Sequence, residues 1–200
     1  MKLNNIIMMS FVVLLLLSSS CGQPVNKEKE EEKKVEEKKE ASAIDVIMSR
    51  RSIRSYKSEQ IKDEELNTIL ECGINAPSAM NSQSWEIRVI QNPEILKKIE
   101  GSFHNAPTLI VIASATDNFF SPVDCGLLGQ NILLAAESLD IGTCVVGNFT
   151  NFLNSPEGAE VVRSLELSEG YKPLYSIAVG YKNERPEAKP RDKGKIKIIK

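Results

Sequence analysis

Beyond the first 41 residues, Thr108–Ala115 (TLIVIASA) and Leu174–Gly180 (LYSIAVG) are mainly apolar runs without a charged residue. Runs of this length and kind predict strands covered on both faces. Glu86–Ile90 alternates like a strand, and Thr143–Val146 adds a short one. Leu66, Ile69, Leu70, Gly73 and Ile74 follow helical spacing, in a helix that Asp63 is placed to cap and Ala76-Pro77-Ser78 to end. A shorter helix is predicted from Ala43 to about Arg50, capped by Ser42, with Ile44 and Ile47/Met48 turned inward. Asn92-Pro93 opens another, to about Gly101, and Pro156–Leu165 reads as helical. From Pro122 to about Leu139, Leu127, Leu128, Ile132, Leu133, Ala135, Ala136 and Leu139 surround most of one long helix axis. Such a helix belongs at the centre of a core or at a subunit interface. Lys195–Ile199 alternates and reads as a last edge strand or an arm. Helices come first, then strands and helices without strict βαβ alternation, which predicts an α+β domain over residues 42–200.

The first 41 residues follow a different pattern. Lys2, the apolar stretch Ile6–Leu17 and the run Leu17-Ser18-Ser19-Ser20-Cys21 have the shape of a secretory signal over residues 1–21. The apolar stretch is short of the ~20 residues of a comfortable membrane span. A small-residue run ending in Cys resembles a bacterial lipoprotein signal, which implies lipidation of Cys21 and an anchor on the extracytoplasmic side of the cell membrane. The alternative is an ordinary cleaved signal or a short anchor. Each buried acyl methylene contributes about 0.8 kcal/mol, so several chains hold a protein on a membrane almost permanently. Residues 22–41 are a tether dominated by six lysines and seven glutamates, with no face that could be buried.

Composition narrows the chemistry. The 200 residues carry a net charge of -2, which gives no general affinity for nucleic acid. There are four cysteines, one histidine and no C-x-x-C, so zinc and iron–sulfur sites built on paired ligands are set aside. Cys72, Cys125 and Cys144 lie in apolar stretches and read as core residues. His104 reads as a loop or helix-end residue rather than a catalyst. No G-x-S-x-G, G-x-G-x-x-G or P-loop lysine motif is present, so phosphate recognition would rest on side chains.

Four stretches carry candidate chemistry. Arg50-Arg51-Ser52-Ile53-Arg54-Ser55-Tyr56 gathers guanidinium forks and hydroxyls that suit phosphate oxygens, or else a solvated helix end. Ala76–Trp85 (APSAMNSQSW) is rich in amides, which offer donors and acceptors to a flat heterocycle, or else is a polar turn over Trp85. Leu139–Asn148 places a helix end at Gly142 and breaks a short strand at Gly147, where a ligand could approach the backbone. Lys189-Pro190-Arg191 is a basic pair that by itself is a surface loop.

As an ordered set these stretches resemble the FMN-dependent nitroreductases. The matching segments are RRSIRSY (50–56), APSAMNSQSW (76–85), APTLIVIASA (106–115), DCGLLGQNILLAAESLDIGTCVVG (124–147), YSIAVGY (175–181) and KPR (189–191). The resemblance implies a three-layer α-β-α fold with a mixed central sheet. It also implies an obligate homodimer with a domain-swapped C-terminal strand and FMN at the subunit interface. Carried over residue by residue, Arg50 and Ser52, with Arg51 beside them, match phosphate and ribityl contacts, and Arg54 matches the cation near the N1–C2=O edge of the flavin. Pro77, Ser78 and Asn81 match the loop that reaches the flavin of the other subunit, and Gln83 belongs to the same motif. Val146 and Gly147 match the amides at N5 and O4, and Lys189 and Arg191 match a late pair that returns to the phosphate.

The implied activity is oxidoreduction on the flavin, with hydride passing at N5 from NAD(P)H or another donor. An electron-poor acceptor such as a nitroaromatic or quinone then takes the electrons. The alternatives are a reductive dehalogenase-like enzyme and a non-catalytic flavin-binding or interaction lipoprotein. Export would remove the chain from cytoplasmic NAD(P)H, so a membrane redox chain or another flavoprotein is a further donor. Two departures stand out. The family's usual Pro before Trp85 is Ser84, a change expected to loosen the loop. The segment from Gly147 to Tyr171 is short where many members carry a longer insertion over the substrate, so the cleft is expected to be open.

Overall fold

The structure is a computed structural model that describes residues 41–200. The signal-like segment, Cys21 and all but the last residue of the tether lie outside the described residues.

A four-stranded sheet organises the domain. Its strands are β1 (Trp85–Ile90), β2 (Thr108–Ala115), β3 (Ile141–Val146) and β4 (Tyr171–Tyr181), in the order β1-β2-β4-β3. β2 and β4 are central, as their apolar runs require, and every residue of β2 is buried. Successive β2 side chains enter different cores, because strand side chains alternate between faces. Ile110 and Ile112 pack with Ile177 and Val179 against α2 (Asp63–Ile74) and α4 (Ser121–Ser138), through Ile69, Leu128 and Ile132. Leu109 and Val111 pack with Ala178 and Val146 on the other face, beside α3 (Pro93–Lys98), α5 (Gly147–Leu153) and α6 (Ala159–Ser164). Phe149 of α5 is fully buried there. The result is the α+β class, with helices on both faces of the sheet.

All three ladders are antiparallel. The mixture of strand directions expected in the sheet is confined to one parallel bridge, between Ser52 and Thr143. The reason is local: by Tyr56 the same segment has crossed to pair antiparallel with Lys182, so it cannot run further along β3.

Several local readings change. Lys62, not Asp63, is the N-cap of α2; Asp63 is its first residue. Helix α1 (Ala43–Ser49) has the expected Ser42 cap, closed reciprocally by Asp45. Its inward residue is Val46, while Ile44, Ile47 and Met48 are exposed. A helix of two turns lying on α4 offers one narrow stripe, and Val46 occupies it. Cys72 is exposed because it lies about 100° round α2 from the inward Gly73. Gly142 lies inside β3 rather than at a helix end, which comes at Ser138. Lys195–Ile199 forms no strand within the chain: a 3-10 turn covers Lys193–Lys195, and Ile196, Ile198 and Ile199 are exposed.

Candidate functional site

The arginine-rich segment is placed by the sheet. After Arg50 ends α1, the Ile53 N–H donates to the Thr143 carbonyl at 2.9 Å, and the Ile53 side chain is buried. A Cβ on Gly142 would stand 2.9 Å from Ile53, so glycine is what lets the segment lie on β3. The Tyr56 hydroxyl donates to the Ile53 carbonyl at 2.5 Å and to that of Ala178 at 3.3 Å. Burial first, then the nearby Cys144 and Glu184, pushes the Tyr56 hydroxyl far above its ordinary range, so it remains a donor. With Ile53 turned in, Arg54 is turned out.

Arg50, Arg51, Ser52 and Arg54 line one cleft together with Pro186, Glu187, Lys189 and Arg191. The early arginines and the late Lys–Arg pair therefore meet within one chain. Five cations face one carboxylate in this wall, and none of the five is in an ion pair among the described residues. Arg51 is held at the end of α1, donating to the Met48 carbonyl at 2.7 Å and the Arg50 carbonyl at 2.9 Å. Mutual repulsion among converging cations is relieved by a bound polyanion, and guanidinium forks plus a serine hydroxyl suit phosphate oxygens. This donor set fits the phosphate end of FMN.

Arg54 also lines a second cleft, with Gly101, Ser102, His104, Cys144 and the run Val145–Asn148. The two clefts thus share a wall. Gly147, the first residue of α5, has no neighbour within 4 Å of a Cβ placed on it, so its backbone is open to a ligand. Val146 and Gly147 thus lie along the same cleft as Arg54. Cys144 is buried as expected, yet it also borders this cleft. Burial, opposed by Arg54, pushes its thiol up, which leaves it an apolar wall rather than a nucleophile. His104, exposed and at φ 61°, lines the same cleft. Its spacing in the sequence carries no sign of that, because the turn from Gly101 to Asn105 places it.

Pro77, Ser78, Asn81 and Gln83 line neither cleft. They sit on the loop after α2, where Met80, Asn81 and Gln83 all have positive φ (53°, 55° and 47°). Side-chain bonds hold that backbone. Ser78 Oγ accepts from the Gln83 N–H at 3.0 Å, and the buried Asp124 carboxylate accepts from the Ala79 N–H at 3.2 Å. Ser84 does not loosen the loop. It is buried, bonds to Ser82 Oγ at 2.8 Å, accepts from Asn118 Nδ2 at 2.6 Å, and its carbonyl accepts from the Ser121 hydroxyl.

The nitroreductase family model matches residues 47–106 and 98–181. A putative NADH dehydrogenase/NAD(P)H nitroreductase of Methanothermobacter thermautotrophicus is 31% identical over 153 residues, covering 72% of this chain and 78% of that protein. An NADPH-flavin oxidoreductase of Vibrio harveyi is 28% identical over 172 residues, covering 75% of this chain and 70% of its own length. Among solved structures, a nitroreductase with bound FMN from Desulfitobacterium hafniense superposes with a TM-score of 0.73 at 31% identity, covering 79% of this chain and 98% of that one. A second with bound FMN, from Bacteroides fragilis, gives 0.71 at 28% identity, over 80% of this chain and all of the other.

Proposed function

The chain belongs to the nitroreductase family, and on that premise we propose that it is an FMN-dependent oxidoreductase that takes electrons from NAD(P)H or another donor. The observation that carries this reading is the meeting of Arg50, Arg51 and Arg54 with Lys189 and Arg191 around one cleft that lacks matching counter-charge. Arg50, Ser52, Lys189 and Arg191 would hold the phosphate, with Arg51 beside them. Arg54, at the junction of the two clefts, would face the N1–C2=O edge of the ring, and the main chain of Val146 and Gly147 its N5–O4 side. FMN, when bound, supplies the hydride chemistry. The chain's own groups orient it, neutralise its charge and leave one side open for exchange of donor and acceptor. We take the acceptor to be an electron-poor molecule such as a nitroaromatic or quinone.

Pro77, Ser78, Asn81 and Gln83 would complete the site of a second subunit, which makes the active form a homodimer. Exposed apolar residues on α1, on α4 (Val123 and Leu127) and on the C-terminal arm support that reading. The arm would add its strand to the partner's sheet. A lipid anchor at Cys21 remains part of the proposal for the precursor.

The test is purification of the mature chain without added flavin. The expected result is a yellow protein that releases FMN on denaturation and whose flavin is reduced by NADH or NADPH, or by dithionite, and reoxidised by a quinone. A colourless protein that takes up no added FMN would overturn the reading.

A further inference from the structure

Glu184, three residues beyond β4, belongs to none of the motifs above. Its Oε1 accepts from the main-chain N–H of Arg54 and, at 3.2 Å, from that of Ser55. Neither N–H has a main-chain acceptor among the described residues, because the segment donates to β3 at Ile53 and next to the end of β4 at Lys57. Asn183 completes the seam: its N–H donates to the Ser55 carbonyl at 3.0 Å and its Nδ2 to Ser55 Oγ at 3.1 Å. A carboxylate beside arginines ordinarily takes a guanidinium in a bidentate pair. Glu184 forms no ion pair among the described residues. The Arg54 guanidinium, whose side-chain bond is a long one to the Ser52 carbonyl at 3.4 Å, is thereby left with most of its donors open toward the clefts.

We infer that Glu184 is a positioning residue for the cofactor. It satisfies the backbone of Arg54 and Ser55 and so holds the Arg54 guanidinium at the junction of the phosphate cleft and the ring cleft, unpaired and ready for the flavin. The inference rests on the flavin reading of the preceding section. It places a negative charge where it supports the arginine segment without occupying the donors that the ligand needs.

The experiment compares Glu184→Ala, Glu184→Gln and Glu184→Asp in the mature chain, with three readouts. In the flavin-free protein, E184A should speed amide hydrogen exchange of Arg54 and Ser55 at least about 10-fold, since both donors lose their acceptor. With flavin, E184A should weaken both FMN and riboflavin by about 10-fold or more, because Arg54 faces the ring and not the phosphate. The midpoint potential of its bound flavin should become more negative. E184Q keeps an acceptor oxygen and should stay within about threefold of the parent in affinity, with E184D between the two. Faster exchange with unchanged affinity and potential would overturn the inference and leave Glu184 a structural residue. Unchanged exchange would overturn the clamp itself. Should the parent bind no FMN while exchange still responds, the functional reading falls, and the cofactor role with it, whereas the clamp stands.

Discussion

At the scale of single residues, charge and its neutralisation decide most of what this molecule does. Arg191 lines the arginine-rich cleft proposed to take the phosphate, and its side-chain hydrogen bond within the chain goes to the Lys189 carbonyl. Arg191→Ala should weaken FMN by about 10-fold or more, the size of a hydrogen bond to a charged group, and leave riboflavin affinity nearly unchanged. Fluorescence titration with both flavins checks it. Elsewhere, carboxylates are held ionised. Burial pulls Glu86 upward, but the Ser168 hydroxyl and N–H, with Arg88, overrule it and hold the carboxyl below its usual range. Burial likewise opposes Lys182 and Arg185 at Asp140, and the two cations win. Both groups are depressed in the folded state, so their contribution is present above the unfolded values near 4 and is lost as pH falls through the folded ones. The urea midpoint should therefore be flat from neutrality to about pH 5 and fall below about pH 4. Asp140→Asn should make that acid limb shallower.

At the scale of elements, close approach sets which residues are tolerated. α4 lies against β4 at Gly129, where an added Cβ would collide with the Tyr175 hydroxyl and stand 2.9 Å from its ring. That hydroxyl donates to the Cys125 carbonyl, and burial, followed by the nearby Cys125, pushes it well above its ordinary range. Gly129→Ala should cost about 1–3 kcal/mol, the usual penalty for overpacking a core. Adding Tyr175→Phe, which removes the clashing oxygen, should restore part of the loss, as a double-mutant cycle in urea would record. The elements themselves were largely legible. Thr108–Ala115 matched β2 end to end, because a mainly apolar run without a charge, long enough for one strand, has few other homes. Helix caps were legible to within a residue, since Ser42 and Asn92 both accept from first-turn N–H groups. Tertiary context decided what remained: α1 turned Ile44, Ile47 and Met48 outward, and Ser84 joined a hydrogen-bonded network that no local pattern announces.

At the scale of the whole molecule, the exposed apolar residues are consistent with the proposed homodimer. Ile196, Ile198 and Ile199 are 74%, 77% and 87% exposed on an arm that forms no strand with its own chain, far more apolar surface than a terminal segment in water favours. On the proposed homodimer, deleting residues 192–200 should shift the protein from dimer to monomer in sedimentation and lower flavin occupancy, since loop 77–83 would no longer reach a second subunit; an unchanged sedimentation coefficient would refute the arm's role. For the precursor, Cys21→Ser should move the protein from the membrane to the soluble fraction if the anchor reading holds; unchanged membrane association would refute it. Local periodicity and side-chain chemistry were enough for β1, β2, β4, α2 and α4, and for the supply of arginines, serine and late basic pair from which a phosphate site could be made, but not for α5, which no sequence pattern announced, nor for Lys195–Ile199, which read as a strand and forms none. That Arg50 and Arg191 share a cleft, that Gly142 lets Ile53 lie on β3, and that Glu184 bonds to backbone instead of a guanidinium emerge from the folded chain alone. These are contacts between residues distant along the chain, set by how the sheet edge and the segment after β4 close on each other, and no local pattern encodes them.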